Sequence, residues 1–314
     1  MGVWQIGVDE LARSRFTVSP MTETVAALSA LARSDAAPGL RPWLQTHTPA
    51  YRQRLAADPM DSVLVKAALR PRWTAHLLAV PPHRSDRTFY DELRRVRTMP
   101  IEIARGDLAP AGRLPRALRY TDLSERAADL LEWVWTETLR RDWPRRRRIF
   151  EADIVSRTAR LSSGGWAAAL EGLRKGMRWR SDGRLQINTY DNPPRTITGA
   201  ELMFIPSTSP SGWVGWDEPH RYTIVYPCAG LLADAPTIAA PDSLAKLIGP
   251  VRAHILTELS APRSTSQLVA LTGYTLGSVG GHLKVLLDAG VVDRRRAGRS
   301  VLYYRTGLGN DLAA

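Results

Sequence analysis

Apolar positions along the chain change period twice. The opening "VWQIGV" alternates like a short strand, and from Asp9 to about Arg160 the spacing turns helical, punctuated by prolines. "MTETVAALSALA" carries Val25, Leu28 and Leu31 on one side, and "DLSERAADLLEWVWTETL" carries Leu123, Ala127, Leu130, Leu131 and Val134. Both predict amphipathic helices of an ordinary core. Beyond Arg160, "SGGWAAALEGLRKG" suits a helix bracketed by glycines. "GRLQINTY", "AELMFIPS" and "RYTIVYP" are β-rich runs separated by loops, which predicts one small sheet.

The Ala- and Pro-rich stretch 229–243 has neither period nor charge run, so a connector is placed at 231–243, between a domain at 1–230 and another at 244–314. After it the helical period returns. "SLAKLIGPVRAHILTELS" predicts one helix, or two broken near Gly249-Pro250. "STSQLVALTG" predicts a helix capped by Ser264 or Thr265 and stopped by Gly273. Thr275 is the next cap, Val279, Leu283, Leu286 and Leu287 follow at helical spacing, and Gly290 is the stop. Two short helices about a tight turn make a helix-turn-helix. "VVDRRRAGRSVLYYRT" then reads as two β-runs joined at Ala297-Gly298, a basic hairpin behind the second helix. The expected fold class is α+β: a mostly helical N-terminal domain with a small sheet, followed by a C-terminal winged helix-turn-helix.

Composition sharpens this. The 314 residues suit two domains, and 43 Lys plus Arg against 31 Asp plus Glu leave a formal charge of +12, which favours an acidic partner such as nucleic acid. Arginine dominance can also reflect a GC-rich genome. The single cysteine, Cys228, excludes an intrachain disulfide framework and any multi-cysteine metal site. Without a signal peptide or an apolar stretch of membrane-spanning length, a soluble, cytoplasmic protein is expected.

Residues 244–305 resemble the ArsR-type winged-helix repressors, through "TSQLVALTGYT", "HLKVLLDAGVV" and "RRRAGRSVLYYR". The preceding region, with "RFTVSP" and "FEADI…GGW", resembles the uncharacterised N-terminal extension of a subgroup of these regulators and adds architecture only. The resemblance implies a transcriptional regulator, a repressor, that binds double-stranded DNA as a homodimer. Residues 275–288 would be the recognition helix in the major groove, and the basic wing 291–305 would lie on the backbone. Thr275, Leu276, Gly277, Ser278, Gly280, Gly281, His282 and Lys284, with wing residues Arg294, Arg295, Arg296 and Arg299, are the expected contacts. Family members carry polar side chains where this chain has Leu276, Gly277, Gly280 and Gly281. Glycine offers no donor or acceptor from a side chain, so affinity is expected to rest on phosphates, and an architectural or weakly specific DNA-binding protein is the alternative. His282 either contacts DNA or packs its helix.

Metal-sensing relatives place cysteine pairs on the first helix of the motif, or His and acidic ligands beyond the wing. "TSQLVALTG" has neither, and no metal or other cofactor is expected. Trp213, Trp216 and Tyr222 in "SGWVGWDEPHRY" either line a small-molecule effector pocket or close the core of the sheet; the sheet-core reading is favoured. The basic run "RRDWPRRRR" at 140–148 reads as a solvated helix end rather than a nucleic-acid surface, because it lies far from the C-terminal motif in sequence. No nucleophile motif or phosphate-cradling loop is present, so no catalysis is expected.

Overall fold

Helix starts in the N-terminal half follow local capping chemistry. Ser19 Oγ accepts the Thr22 N–H at 2.9 Å and Pro20 occupies the first turn of the Pro20–Arg33 helix. Thr88 and Asp91 form a reciprocal capping box on Phe89–Arg97, and Asp122 caps Leu123–Val134. Val25, Leu28 and Leu31 are buried, as are Leu123, Ala127, Leu130, Leu131 and Val134, so both predicted stripes face one hydrophobic core.

The computed structural model describes residues 2–36, 38–71, 73–109, 114–119, 121–180, 182–190, 192–228, 242–260, 262–272, 274–297 and 300–313. Helices and several small sheets share the chain, which divides into two compact units. One comprises Met1–Trp143 and Leu170–Pro227; the other comprises Pro144–Ala169 and Cys228–Ala314. The 144–169 segment therefore groups with the C-terminal residues, whereas the sequence alone put it within 1–230. Most of the 231–243 connector lies outside the described residues, and Asp242 already begins the Asp242–Ile248 helix.

The first unit holds two four-stranded sheets rather than the single small sheet expected. In one, Val3–Ile6 pairs antiparallel with Arg184–Gln186 and parallel with Arg195–Ile197. In the other, Glu201–Ser207 and Arg221–Pro227 run parallel, flanked by Arg15–Phe16 and by Trp213–Asp217. Trp213–Asp217, read as a loop from sequence, is an antiparallel edge strand. Its Gly215 permits a close backbone approach, since an added Cβ would lie 2.4 Å from the Ala79 carbonyl oxygen. The glycine-bracketed helix is shorter than expected: Gly165 (φ 69°) interrupts the long Trp143–Leu170 helix, and Gly172 (φ 64°) follows its end.

Two buried acids, Glu23 and Glu92, take hydrogen bonds from residues remote in the chain. Glu23 accepts from the Thr208 N–H at 3.0 Å and from its hydroxyl at 2.8 Å. Ser19 donates to Glu92 at 2.5 Å, and burial pushes the Glu92 carboxyl up to about 8 from an ordinary 4.5. Folding thus favours protonated Glu92. Its stabilisation is complete below about 4.5 and is lost as pH rises through about 8. Within that window the unit should lose up to about 1.4 kcal/mol per pH unit. Glu92→Gln should flatten the fall, which thermal unfolding of both proteins at pH 5.5, 7 and 8.5 would measure.

Candidate nucleic-acid interface

The second unit is built on an apolar core of Leu244, Ile255, Leu256, Leu268, Val279, Leu283, Leu286 and Val292. Gly249 (φ 85°) breaks the leading helical region into Asp242–Ile248 and Pro250–Glu258, with Pro250 in the first turn of the second. Ser264 caps the next helix, Thr265–Thr272. Its Oγ accepts the Gln267 N–H at 3.3 Å, and Gln267 Oε1 accepts the Ser264 N–H at 2.6 Å, a reciprocal capping box. The Gly273 stop lies outside the described residues.

Thr275 starts the Leu276–Asp288 helix by accepting the Ser278 N–H at 3.3 Å. Gly290 (φ 69°) ends it in a Schellman motif, with Val291 N–H donating to Leu286 O at 3.1 Å and Gly290 N–H to Leu287 O at 2.9 Å. Val279, Leu283 and Leu286 are buried, as their spacing requires. The opposite face is open: Leu276 is 62% exposed, and Gly277, Gly280, Gly281 and Lys284 are exposed. Thr275 is exposed but committed to the cap, while Ser278 and His282 are half-buried. An added Cβ at Gly277, Gly280 or Gly281 would meet nothing within 4 Å. Packing within the described residues therefore does not require these glycines.

An antiparallel hairpin of Val292–Ala297 and Ser300–Arg305 follows, with Arg263–Ser264 paired along its second strand. Its base is clamped by Arg305, whose guanidinium donates to Leu256 O and Thr257 O, each at 2.6 Å, at the end of the Pro250–Glu258 helix. These carbonyls also accept the Leu259 and Ser260 N–H groups at 3.2 Å, and a cation at the negative end of a helix is favoured there. Arg294, Arg295 and Arg296 are exposed. Strand alternation sends Arg294 and Arg296 to one face, and Arg295 to the other with Asp293 and Tyr304. Tyr304 donates to Asp293 at 3.1 Å, which holds a carboxylate on the Arg295 face. Arg299 lies outside the described residues.

Sequence reasoning missed one component of this unit, the long helix beginning near Trp143. Gln267 Nε2 donates to Ala152 O at 2.5 Å, so the amide that closes the Ser264 cap also holds this helix. Ala152, Ile149 and Phe150 are buried, whereas Arg145, Arg147 and Arg148 are exposed. The run keeps some of its arginines for structure: Arg146 is buried. Further along the helix, Arg157 pairs with Asp153 at 3.3 Å and donates to Ala169 O at 3.2 Å. The helical spacing of 149–157 was legible, but nothing local to it records a partner more than a hundred residues away.

The aromatic candidates lie in the other unit and do not face one cavity. Trp216 pairs with Tyr222 across neighbouring strands, and alternation sends Trp213 to the opposite face, against Met203, Ile205 and Val225. The sheet-core reading thus fits Trp213. Trp216 packs edge-on to His76, ring centres 3.8 Å apart, with the Arg195 guanidinium 4.1 Å from its own ring centre. Burial holds the His76 imidazole below its usual range. A cleft of about 630 Å³ lies elsewhere in this unit, lined by Trp43, His47, Glu137, Arg140 and Asp142 among others. Among the described residues, no three His, Cys, Asp or Glu side chains gather to hold a metal ion, and no helix is long and apolar enough to cross a membrane. Cys228 is buried.

The open glycine face has a stability consequence. Each glycine inside a helix costs roughly 0.5–1 kcal/mol against alanine, and nothing opposes the added methyl here. Gly280→Ala with Gly281→Ala should stabilise the second unit by about 1–2 kcal/mol, read as a higher midpoint in urea unfolding followed by circular dichroism. Comparison with protein-family models, curated proteins and solved structures finds no match to this chain, so its functional reading rests on the geometry above.

Proposed function

We propose that the second unit is a winged helix-turn-helix that binds double-stranded DNA, and that the protein is a transcriptional regulator, a repressor by its resemblance, acting as a cytoplasmic homodimer. The observation that carries this reading is the Leu276–Asp288 helix. It is capped at both ends, packed on one side only, and flanked by a hairpin with Arg294, Arg295 and Arg296 exposed. A helix with a bare, narrow outer face fits a major groove closely, and a basic hairpin beside it suits the flanking phosphates. Leu276 offers apolar contact, Ser278 and His282 offer polar groups, and Lys284 offers charge. Two such helices one turn of DNA apart read a palindrome better than one.

A second reading is favoured by a specific observation: Leu276, Gly277, Gly280 and Gly281 present no side-chain donor or acceptor to base edges. An architectural or weakly specific DNA-binding protein would use the same phosphate contacts without an operator.

Replacing Arg294, Arg295 and Arg296 by alanine should weaken binding to all duplexes and reduce the slope of log K against log salt by about 3, measured by fluorescence anisotropy. Unchanged affinity and slope would remove the wing from the interface. Gly280→Ala with Gly281→Ala should weaken DNA binding about tenfold or more while raising stability, because the methyls would occupy the space a groove floor needs. Selection of bound fragments from sheared genomic DNA separates the two readings. Recovery of one palindromic motif, with a preference of about 10³-fold or more over random duplex, supports a regulator. Uniform recovery supports the architectural protein.

A further inference from the structure

The long helix that carries a basic first turn meets the proposed DNA-binding motif through a buried hydrogen bond. Gln267 is the third residue after the Ser264 cap, at the N-terminal end of the Thr265–Thr272 helix, and its amide grips Ala152 O. Arg148 and Arg145 precede Ala152 by four and seven residues, so they share its stripe along the helix, roughly 6 and 10 Å further toward the N-terminus. Ala152 is buried while Arg145 and Arg148 are exposed. The stripe therefore passes from its buried contact with Gln267 to an exposed, cationic end. Arg147, five residues before Ala152, points to the other side, where it pairs with Glu151 at 2.8 Å.

In a helix-turn-helix the first helix crosses the DNA backbone. A cationic stripe alongside its N-terminus would meet the phosphates just outside those reached by the helix itself. We propose that Arg145 and Arg148 form a phosphate-binding site for duplex DNA, a third point of contact beside the Leu276–Asp288 helix and the hairpin. The inference rests on the DNA-binding reading above. Its ligand is the sugar–phosphate backbone, so the contact carries affinity and register and no base preference.

The test uses the full chain and a fluorescein-labelled 30-base-pair duplex of random sequence, with affinity measured by anisotropy between about 50 and 200 mM salt. Arg145→Gln with Arg148→Gln should lower the salt slope by about 2 and weaken binding about tenfold or more at about 100 mM salt. Arg147→Gln should leave both unchanged. Arg145→Lys with Arg148→Lys keeps the charge and should restore the slope, which separates phosphate binding from a folding defect; matching melting curves check the same point.

The hairpin variant, Arg294, Arg295 and Arg296 to alanine, runs in parallel. If it lowers the slope and the Arg145 and Arg148 variant does not, this proposal is overturned and the DNA-binding reading stands. If only the Arg145 and Arg148 variant lowers it, the proposal holds and the wing assignment falls. An equal loss with Arg147→Gln would reduce the site to diffuse charge and overturn it. Absence of salt-dependent binding by the unaltered protein would overturn both.

Discussion

One side-chain amide joins the two segments that make up the second unit. Gln267 spends its oxygen on the Ser264 N–H, closing the start of its own helix, and its nitrogen on the Ala152 carbonyl, 115 residues away. Both groups are buried, where an unmade hydrogen bond costs about 1–3 kcal/mol. The Gln267 amide is therefore fully satisfied only when the long helix is docked, and the docked helix is held at a helix terminus. The exposed Arg145 and Arg148 stand on the helix that this contact holds.

Around it, the arginines divide into two populations. Arg157, Arg252, Arg263 and Arg305 donate to backbone carbonyls, all four at or near helix ends. Burial draws the Arg263 and Arg305 guanidiniums below their usual range, although both still face acceptors. Arg145, Arg148, Arg294, Arg295 and Arg296 turn outward. The net charge of +12 thus overstates the cations available to a partner, since part of the arginine content closes helix termini. Within the second unit, the helix start and the hairpin each carry a cluster of exposed arginines, and the first unit carries others, Arg41, Arg52, Arg84 and Arg94 among them.

The Leu276–Asp288 helix shows the same division between internal and external demands. Its caps, its Schellman ending and its buried Val279, Leu283 and Leu286 all agree with one another. Its outer glycines agree with none of them, because no neighbour crowds those positions. A local rule broken without an internal reason is the kind of inconsistency that functional surfaces display. The first unit offers a contrast. There Gly215 is required by the Ala79 backbone, and the buried acids Glu23 and Glu92 are explained by the Thr208 and Ser19 hydrogen bonds.

Much of the C-terminal unit was legible in the chain itself. Thr275 as cap, Gly290 as stop and the buried stripe were all readable, and the break at Gly249 was one of two alternatives, because caps, left-handed glycines and apolar periods act within one or two turns of chain. The sheets were less so. Trp213–Asp217 was hidden by a glycine that serves a distant backbone, and Val3–Ile6 finds its partners near residues 184–186 and 195–197, a pairing no local pattern records. The candidate site divides along the same line. The sequence by itself determined which helix and which hairpin are exposed, basic and capped. Only the tertiary structure decided that the 144–169 segment belongs with them, that Arg295 parts from Arg294 and Arg296, and that Trp213 parts from Trp216. Those decisions come from docking and strand pairing between residues remote in the chain, where hydrogen bonds and buried area act and sequence neighbours do not.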